Sequence, residues 1–208
     1  MSATRPYRAR GRQKRSELTR ERIMSAVREL LAEGTFHESS VDEVADRAGI
    51  ARATLYQHFR SRLDLIDAIC DSFAVNPALL SVRDVVELPN PDAALSETIA
   101  ASIRFWSSED AVLSQLYGVA AIDPAARDLV DRQREDRRGE MERLARHLHK
   151  SGRMRKGLSV ARALALLMVL TSYETFRELH QAGVSERELT RALQESASQL
   201  LLRPQRDR

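Results

Sequence analysis

A short run of side chains between residues 52 and 58 could recognise DNA. An arginine hydrogen-bonds guanine edges, a glutamine hydrogen-bonds adenine edges, and the methyl groups of alanine and threonine contact the thymine methyl. Tyrosine and histidine suit phosphate oxygens, which set the register of a protein on DNA without reading sequence. The candidates for base contacts are Arg52, Ala53, Thr54 and Gln57, and those for phosphate contacts are Ser40, Tyr56, His58 and Arg62.

The residues around this run predict a helix-turn-helix that would present it. Ser40–Glu43 has the pattern of a capping box at the start of a short helix. Ala45 lets a second helix cross closely, Gly49 suits a turn with positive φ, and Leu55 and Phe59 would anchor the second helix. The alternative is an ordinary helical hairpin in a core, which would leave the polar side chains of the second helix without a role.

The composition is typical of a mostly helical protein. Of 208 residues, 43% are hydrophobic, 30% are charged and 5% are aromatic. The net charge is +3, yet six basic residues and no acid precede Ser16. We therefore expect a flexible basic arm over residues 1–15, which either is a solvated tail or contacts DNA through phosphates or the minor groove.

Few features suggest chemistry other than binding. Cys70 is the single cysteine, which excludes an intrachain disulfide and disfavours a zinc site. His147 and His149 are two apart on a predicted helix and so diverge, and we expect no metal and no cofactor. The longest apolar run, Ala163–Leu170, is too short to span a membrane, and no signal peptide is evident, so we expect a cytoplasmic protein. No nucleophile elbow or glycine-rich phosphate loop suggests an enzyme.

The periodicity predicts an all-α fold of about nine helices. Gly34 would end the first, and Asn76-Pro77 would end the fourth. Pro77–Pro89 is expected to be a loop with at most one helical turn, and Gly152–Gly157 a basic loop. The remaining helices are predicted over residues 90–107, 109–118, 124–151, 159–181 and from 185 onward.

The run Val44–Phe59, with Ser61–Leu65 after it, resembles the N-terminal domain of the tetracycline-repressor (TetR) family. Its Thr-Leu-Tyr-x-His-Phe core is the most specific part, and the resemblance covers about 50 residues, from Thr19 to Ala68. Ala51 stands where the family often has serine, so we expect the start of the recognition helix to order fully only on DNA. Arg62 stands where lysine is common, which keeps the charge.

The resemblance implies a homodimeric, ligand-responsive regulator, most often a repressor that a small molecule releases from a palindromic double-stranded operator. The domains would be a helix-turn-helix domain over residues 16–62 and a larger helical effector-binding and dimerisation domain over 63–203. The alternative is a constitutive or architectural DNA-binding protein without an effector.

Two further sets of residues follow from that interpretation. The expected effector is small and apolar or aromatic, and the candidates for its pocket are Phe73, Phe105, Trp106, Leu116, Tyr117, Met168, Tyr173 and Phe176, each of which could equally be plain core. Trp106 and Tyr117 would add a hydrogen-bond donor. The final helix has a wide apolar face, and the candidates for the dimer interface are Leu164, Leu189, Ala192, Leu193, Ser196, Ala197 and Leu200.

Overall fold

The computed structural model describes residues 5–204, except for the side chains of 5–10 and 12. The described chain is all-helical, as the sequence predicts, and its one β-type contact is an isolated bridge between Met154 and Leu202. Its ten helices are α1 (Arg5–Ala32), α2 (Val41–Arg47), α3 (Arg52–His58), α4 (Arg62–Phe73), α5 (Pro77–Val85), α6 (Pro91–Ile122), α7 (Pro124–Lys150), α8 (Val160–Leu170), α9 (Tyr173–Gln181) and α10 (Glu186–Leu201).

Two compact units make up the chain. Unit 1 comprises the described residues up to Asp71 together with Ala111–Val130, and unit 2 comprises Ser72–Asp110 and the described residues from Asp131 onward. The domain boundary expected after Arg62 differs from this division. Since α4 continues without a break beyond Arg62, and its Leu65 and Ile69 are fully buried, that helix supplies core to unit 1.

Helix α1 begins earlier than the sequence predicts. Ile23, Val27 and Leu31 bury one face of it completely, and Gly34, with φ of +74°, ends it as expected. The helix starts at Arg5, so residues 5–15 are helical where we expect a flexible arm. Arginine, lysine and glutamine are good helix formers, so a basic segment rich in them can be helical. The arm's first four residues, and the side chains of Arg5, Arg8, Arg10 and Arg12, lie outside the described residues.

The segment expected to be a loop after Asn76 is helix α5. The Asn76 side chain accepts a hydrogen bond from the Ala78 amide, and Pro77 occupies the first helical turn, where its missing N–H costs nothing.

In the next segment α6 is a single helix of 32 residues, where the pattern predicts two. Neither glycine nor proline separates those two predicted helices, and the Ser108 hydroxyl satisfies the Phe105 carbonyl within the continuous helix.

The single helix predicted over 159–181 is two helices, α8 and α9. The Thr171 hydroxyl donates to the Leu167 carbonyl at 2.7 Å, and the Ser172 hydroxyl accepts from the Thr175 amide at 3.0 Å. Short hydroxyl side chains compete with the helical backbone for hydrogen bonds and favour a new helix start. This break and α5 each add one helix to the predicted nine, and the merger in α6 removes one, which gives the ten helices of the described chain.

Candidate nucleic-acid interface

Helices α2 and α3 form the helix-turn-helix. Ala45 and Leu55 are each 1% exposed where the helices cross, and the Ile50 amide donates to the Ala45 carbonyl at 3.0 Å. Gly49 has φ of +62°, as its place in the turn requires. Arg22 of α1 donates through Nη2 to the Gly49 carbonyl at 2.8 Å, so a long-range contact braces the turn.

Ser40 begins α2 with the predicted capping box. Its Oγ accepts from the Glu43 amide at 3.2 Å, and its own amide donates to Glu43 Oε2 at 2.5 Å. These hydrogen bonds lower the pKa of the Glu43 carboxyl. Ser40 is exposed, so its side chain both starts the helix and lies at the surface.

The exposed face of α3 carries the side chains proposed to read DNA. Arg52, Ala53, Tyr56 and Gln57 are exposed, and Thr54 and His58 are half-buried. Leu55 and Phe59 are buried, so the helix separates anchoring from presenting residues as the sequence predicts. Ala51 makes no side-chain capping hydrogen bond at the start of α3, so the expected effect of DNA on this helix start stays a prediction.

Arg52 has a partner on the preceding helix. Its Nη1 lies 2.6 Å from Asp42 Oδ2, and its guanidinium lies over the Tyr56 ring at 5.4 Å from the centroid. Both side chains of the ion pair are about half exposed, so such a pair contributes little to stability. The ion pair with Asp42 thus orients the Arg52 guanidinium through Nη1 alone.

Arg62 has a structural role that the sequence does not suggest. Its guanidinium donates to the carbonyls of Phe36, His37 and Ser39 and lies 4.4 Å from the centroid of the Phe36 ring. Burial lowers the pKa of this arginine. The structure therefore uses Arg62 to clamp the loop between α1 and α2, whereas the sequence suggests a phosphate contact.

Other arginines that support the recognition helix were not among the predicted site residues. Arg20 lies 4.8 Å from the centroid of the Phe59 ring, and Arg47 makes a two-pronged ion pair with Glu33 at 2.7 and 3.0 Å. That pair lowers the pKa of Glu33. No local pattern identifies them, because the partners are 14 or more residues apart.

The comparisons with known proteins agree with this geometry. Residues 23–69 match the family model described as "Bacterial regulatory proteins, tetR family". Residues 23–69 are therefore a tetR-family domain. The match includes the last third of α1, the helix-turn-helix and most of α4.

Several proteins similar to this chain are transcription regulators. The transcriptional activator FasR of Mycolicibacterium smegmatis is 40% identical over 50 residues, 24% of this chain and 23% of that protein. The transcriptional repressor BepR of Brucella suis is 28% identical over 94 residues, 44% of each chain. The chain thus spans less than half the length of these curated relatives.

The similarity in fold extends beyond residues 23–69. The structure of FadR from Bacillus subtilis in complex with stearoyl-CoA superposes with a TM-score of 0.72, covering 85% of this chain and 96% of that chain at 17% identity. At that identity the similarity shows the fold alone.

In unit 2, aromatic residues from the predicted pocket pack against one another. Ring centroids are 5.7 Å apart for Phe73 and Phe105, 4.8 Å for Phe105 and Trp106, and 5.7 Å for Trp106 and Tyr173. Tyr173 also stacks on Phe176, with centroids 6.1 Å apart. Met168 is half-buried in the same unit, whereas Leu116 and Tyr117 belong to unit 1.

The polar groups of these rings are already bonded inside the protein. Trp106 Nε1 donates to the Thr171 carbonyl at 3.0 Å, although the sequence suggests that this N–H serves a ligand. The Tyr173 hydroxyl donates to Asp110 Oδ1 at 2.6 Å, and burial, with that acid beside it, raises the pKa of the phenol.

The residues predicted to form the dimer interface separate into two groups. Leu164, Leu189, Leu193 and Ala197 are at most 7% exposed within this chain, so they are core of the protomer and not its accessible surface. Ala192 and Leu200 are exposed, and Ser196 is half-buried. The prediction is wrong for the four buried residues, because the apolar stripe of α10 packs on its own unit. Only the flank of that stripe is left exposed.

No group of three or more His, Cys, Asp or Glu side chains that could hold a metal occurs in residues 5–204. Within that same range no single helix is long and apolar enough to cross a membrane, although α4 and α5 together, as a bent pair, would be.

Proposed function

We propose that this protein is a homodimeric, sequence-specific regulator of transcription, a repressor that binds a palindromic operator and is released by a small molecule. The exposed face of α3, on a helix-turn-helix of the tetR family, is the observation that carries the proposal. Arg52 and Gln57 are the residues best suited to read base edges in the major groove. Tyr56 and His58 would hold phosphates.

The dimer is proposed from the surface of α8. This helix packs against α10, and Ala161, Ala165 and Val169 lie exposed at spacings of four residues along it, with Val169 61% exposed. Small residues in such a row let a second helix approach closely. Ala192 on α10 is a further small, exposed residue. A second copy of the chain would cover this face. Two recognition helices would then meet half-sites about 34 Å apart, one turn of DNA.

The dimer has a direct test. Val169→Arg should convert a dimer to a monomer in sedimentation velocity, since a buried unpaired charge opposes association. Val75 is 73% exposed on another part of unit 2, so Val75→Arg is the matched control and should leave the dimer intact. A wild-type protein that sediments as a monomer would contradict this part of the proposal.

The effector site is proposed among the aromatic residues of unit 2. The support is the concentration of four rings in contact, which would suit an apolar or aromatic molecule, and the fold shared with FadR, whose structure holds stearoyl-CoA. An effector would have to separate those rings. Helix α4 and the segment 77–89 would then pass the change towards unit 1 by favouring one of two conformations.

The experiment begins with the operator, because release by an effector can be measured only on the bound operator. Repeated selection from random duplex DNA with the purified full chain should enrich a palindrome. Fluorescence anisotropy on that duplex, with stearoyl-CoA as the first probe and then a panel of apolar aromatic compounds, measures release. Failure to enrich any sequence would contradict the proposed regulator, whereas enrichment without release by any probe would favour the alternative below.

The alternative is a constitutive DNA-binding protein without an effector. One observation favours it: the rings of unit 2 contact one another, and the Trp106 N–H and the Tyr173 hydroxyl both have hydrogen-bond partners within the protein. One measurement distinguishes the two functions. A bound compound should lower operator affinity if the protein is a ligand-released repressor, and should leave it unchanged if the protein binds DNA constitutively.

A further inference from the structure

A cleft of about 540 Å³ lies at the carboxyl end of α10, within unit 2 and apart from the aromatic residues described above. This volume falls in the usual range for small-molecule sites. The basic loop Gly152–Gly157 forms one wall and the end of α10 another. The lining includes Asp92, Arg153, Arg155, Ser198, Gln199 and Arg203.

Backbone hydrogen bonds hold the two walls together. The Arg155 amide donates to the Leu201 carbonyl at 2.8 Å, and the Arg203 amide donates to the Arg153 carbonyl at 2.9 Å. Between them Met154 and Leu202 form the isolated bridge, and both are buried. The cleft is therefore built by fixed backbone and not by the chance meeting of surface side chains.

The charges of the cleft are unbalanced. Three of the lining side chains are arginines and one is a carboxylate. Asp92 is held by Arg153 through two hydrogen bonds, each of 2.7 Å, so that acid is already neutralised. Arg203 uses only Nε, which donates to the Met154 carbonyl at 2.9 Å. Arg155 is exposed and has no side-chain partner in the described part of the chain.

We infer that this cleft binds a small oxyanion, a carboxylate or a phosphate group of a metabolite-sized molecule. The Arg155 guanidinium and the free nitrogens of Arg203 would bind its oxygens, because a guanidinium presents paired donors that match carboxylate and phosphate. The Ser198 hydroxyl and the Gln199 amide, both exposed at the cleft, supply neutral donors. The bound anion would bridge the basic loop and α10, and this inference does not rest on the proposed function.

The test is calorimetric titration of the full chain without DNA, at constant ionic strength in chloride. The probes are inorganic phosphate, glycerol 3-phosphate and citrate, which distinguish a free phosphate, a phosphate ester and a carboxylate. At least one should bind saturably with one site per chain. Arg155→Gln and Arg203→Gln should each weaken that binding by about tenfold or more, which corresponds to about 1.4 kcal/mol.

Two control variants test whether anion binding depends on the arginines of the cleft in particular. Arg104 is an exposed arginine of α6 in the same unit that does not line the cleft, and Arg52 is an exposed arginine proposed to contact DNA bases. Arg104→Gln and Arg52→Gln should leave the dissociation constant unchanged. Ser198→Ala, which keeps every charge, should also weaken binding and serves if an arginine variant fails to fold. No saturable binding of any probe, or equal weakening by the controls, would overturn the inference.

Discussion

Arg52 Nη1 lies 2.6 Å from Asp42 Oδ2, so the first residue of the recognition helix is bound to a carboxylate of the helix before it. This pair places a negative charge beside the side chain proposed to contact bases. Asp42 thereby orients Arg52 and also opposes the approach of DNA phosphates. We therefore expect the charge of Asp42 to weaken DNA binding.

Asp42→Asn should strengthen binding to all DNA sequences, because it frees Arg52 and removes a repulsive charge. The plot of log affinity against log salt should become steeper by about one, as for an added phosphate contact. Anisotropy titrations at several salt concentrations measure this. Asp46→Asn removes an exposed acid of α2 with no described contact to Arg52, and an equal effect from it would assign the change to net charge alone.

Tyr56→Ala and Gln57→Ala should differ in how they change sequence preference. Tyr56→Ala should weaken binding to every operator variant by a similar factor, because a phosphate contact carries no sequence information. Gln57→Ala should lower affinity by about 1–3 kcal/mol for the preferred base and little for others. A panel of single-base operator variants separates the two, and parallel profiles would contradict the assignment.

Gly49→Ala should lower the free energy of unfolding by about 1–3 kcal/mol, since alanine is strained at a φ of +62°. The added Cβ would also lie 2.7 Å from Arg22 Nη2 and displace the side chain that braces the turn. Gly139→Ala is the matched control in the exposed interior of α7, where a Cβ meets nothing within 4 Å. That change should raise stability by about 0.5–1 kcal/mol in the same urea titrations.

Arg62→Lys should lower stability by about 1–2 kcal/mol, because an ammonium cannot replace a guanidinium that donates to three carbonyls around one loop. Thermal and urea unfolding measure the loss. Arg60→Lys, at an exposed neighbouring position, should have no such effect. Unchanged stability with weaker DNA binding would instead favour the phosphate contact that the sequence suggests.

Thr98→Val should raise the free energy of unfolding by about 1 kcal/mol. The Thr98 hydroxyl is fully buried and has no hydrogen-bond partner among residues 5–204, so removing it relieves a desolvation cost. Thr171→Val is the opposite case, because that buried hydroxyl donates to Leu167 and accepts from Arg137. Loss of stability at position 98 would show that its oxygen has a partner.

Much of the helix-turn-helix could be predicted from sequence, and less of unit 2. The capping boxes at Ser40 and Ser185 and the glycine turn at Gly49 form as predicted, since each involves residues within a few positions of one another. The break at Thr171 was not predicted, because a hydroxyl in a helical pattern is compatible with both continuation and a new start.

The sequence by itself determined the local elements of this protein, including its helical class, the crossing of α2 and α3 and the residues that α3 exposes. Only the tertiary structure decided what the longer side chains do. Arg62 reaches carbonyls 23 to 26 residues away, and Arg153 neutralises Asp92 across 61 residues. Likewise, the stripe of α10 expected to face a partner packs on its own unit. Capping and turns depend on neighbours in the chain, whereas a charged or apolar side chain takes its role from whichever distant surface the fold brings beside it.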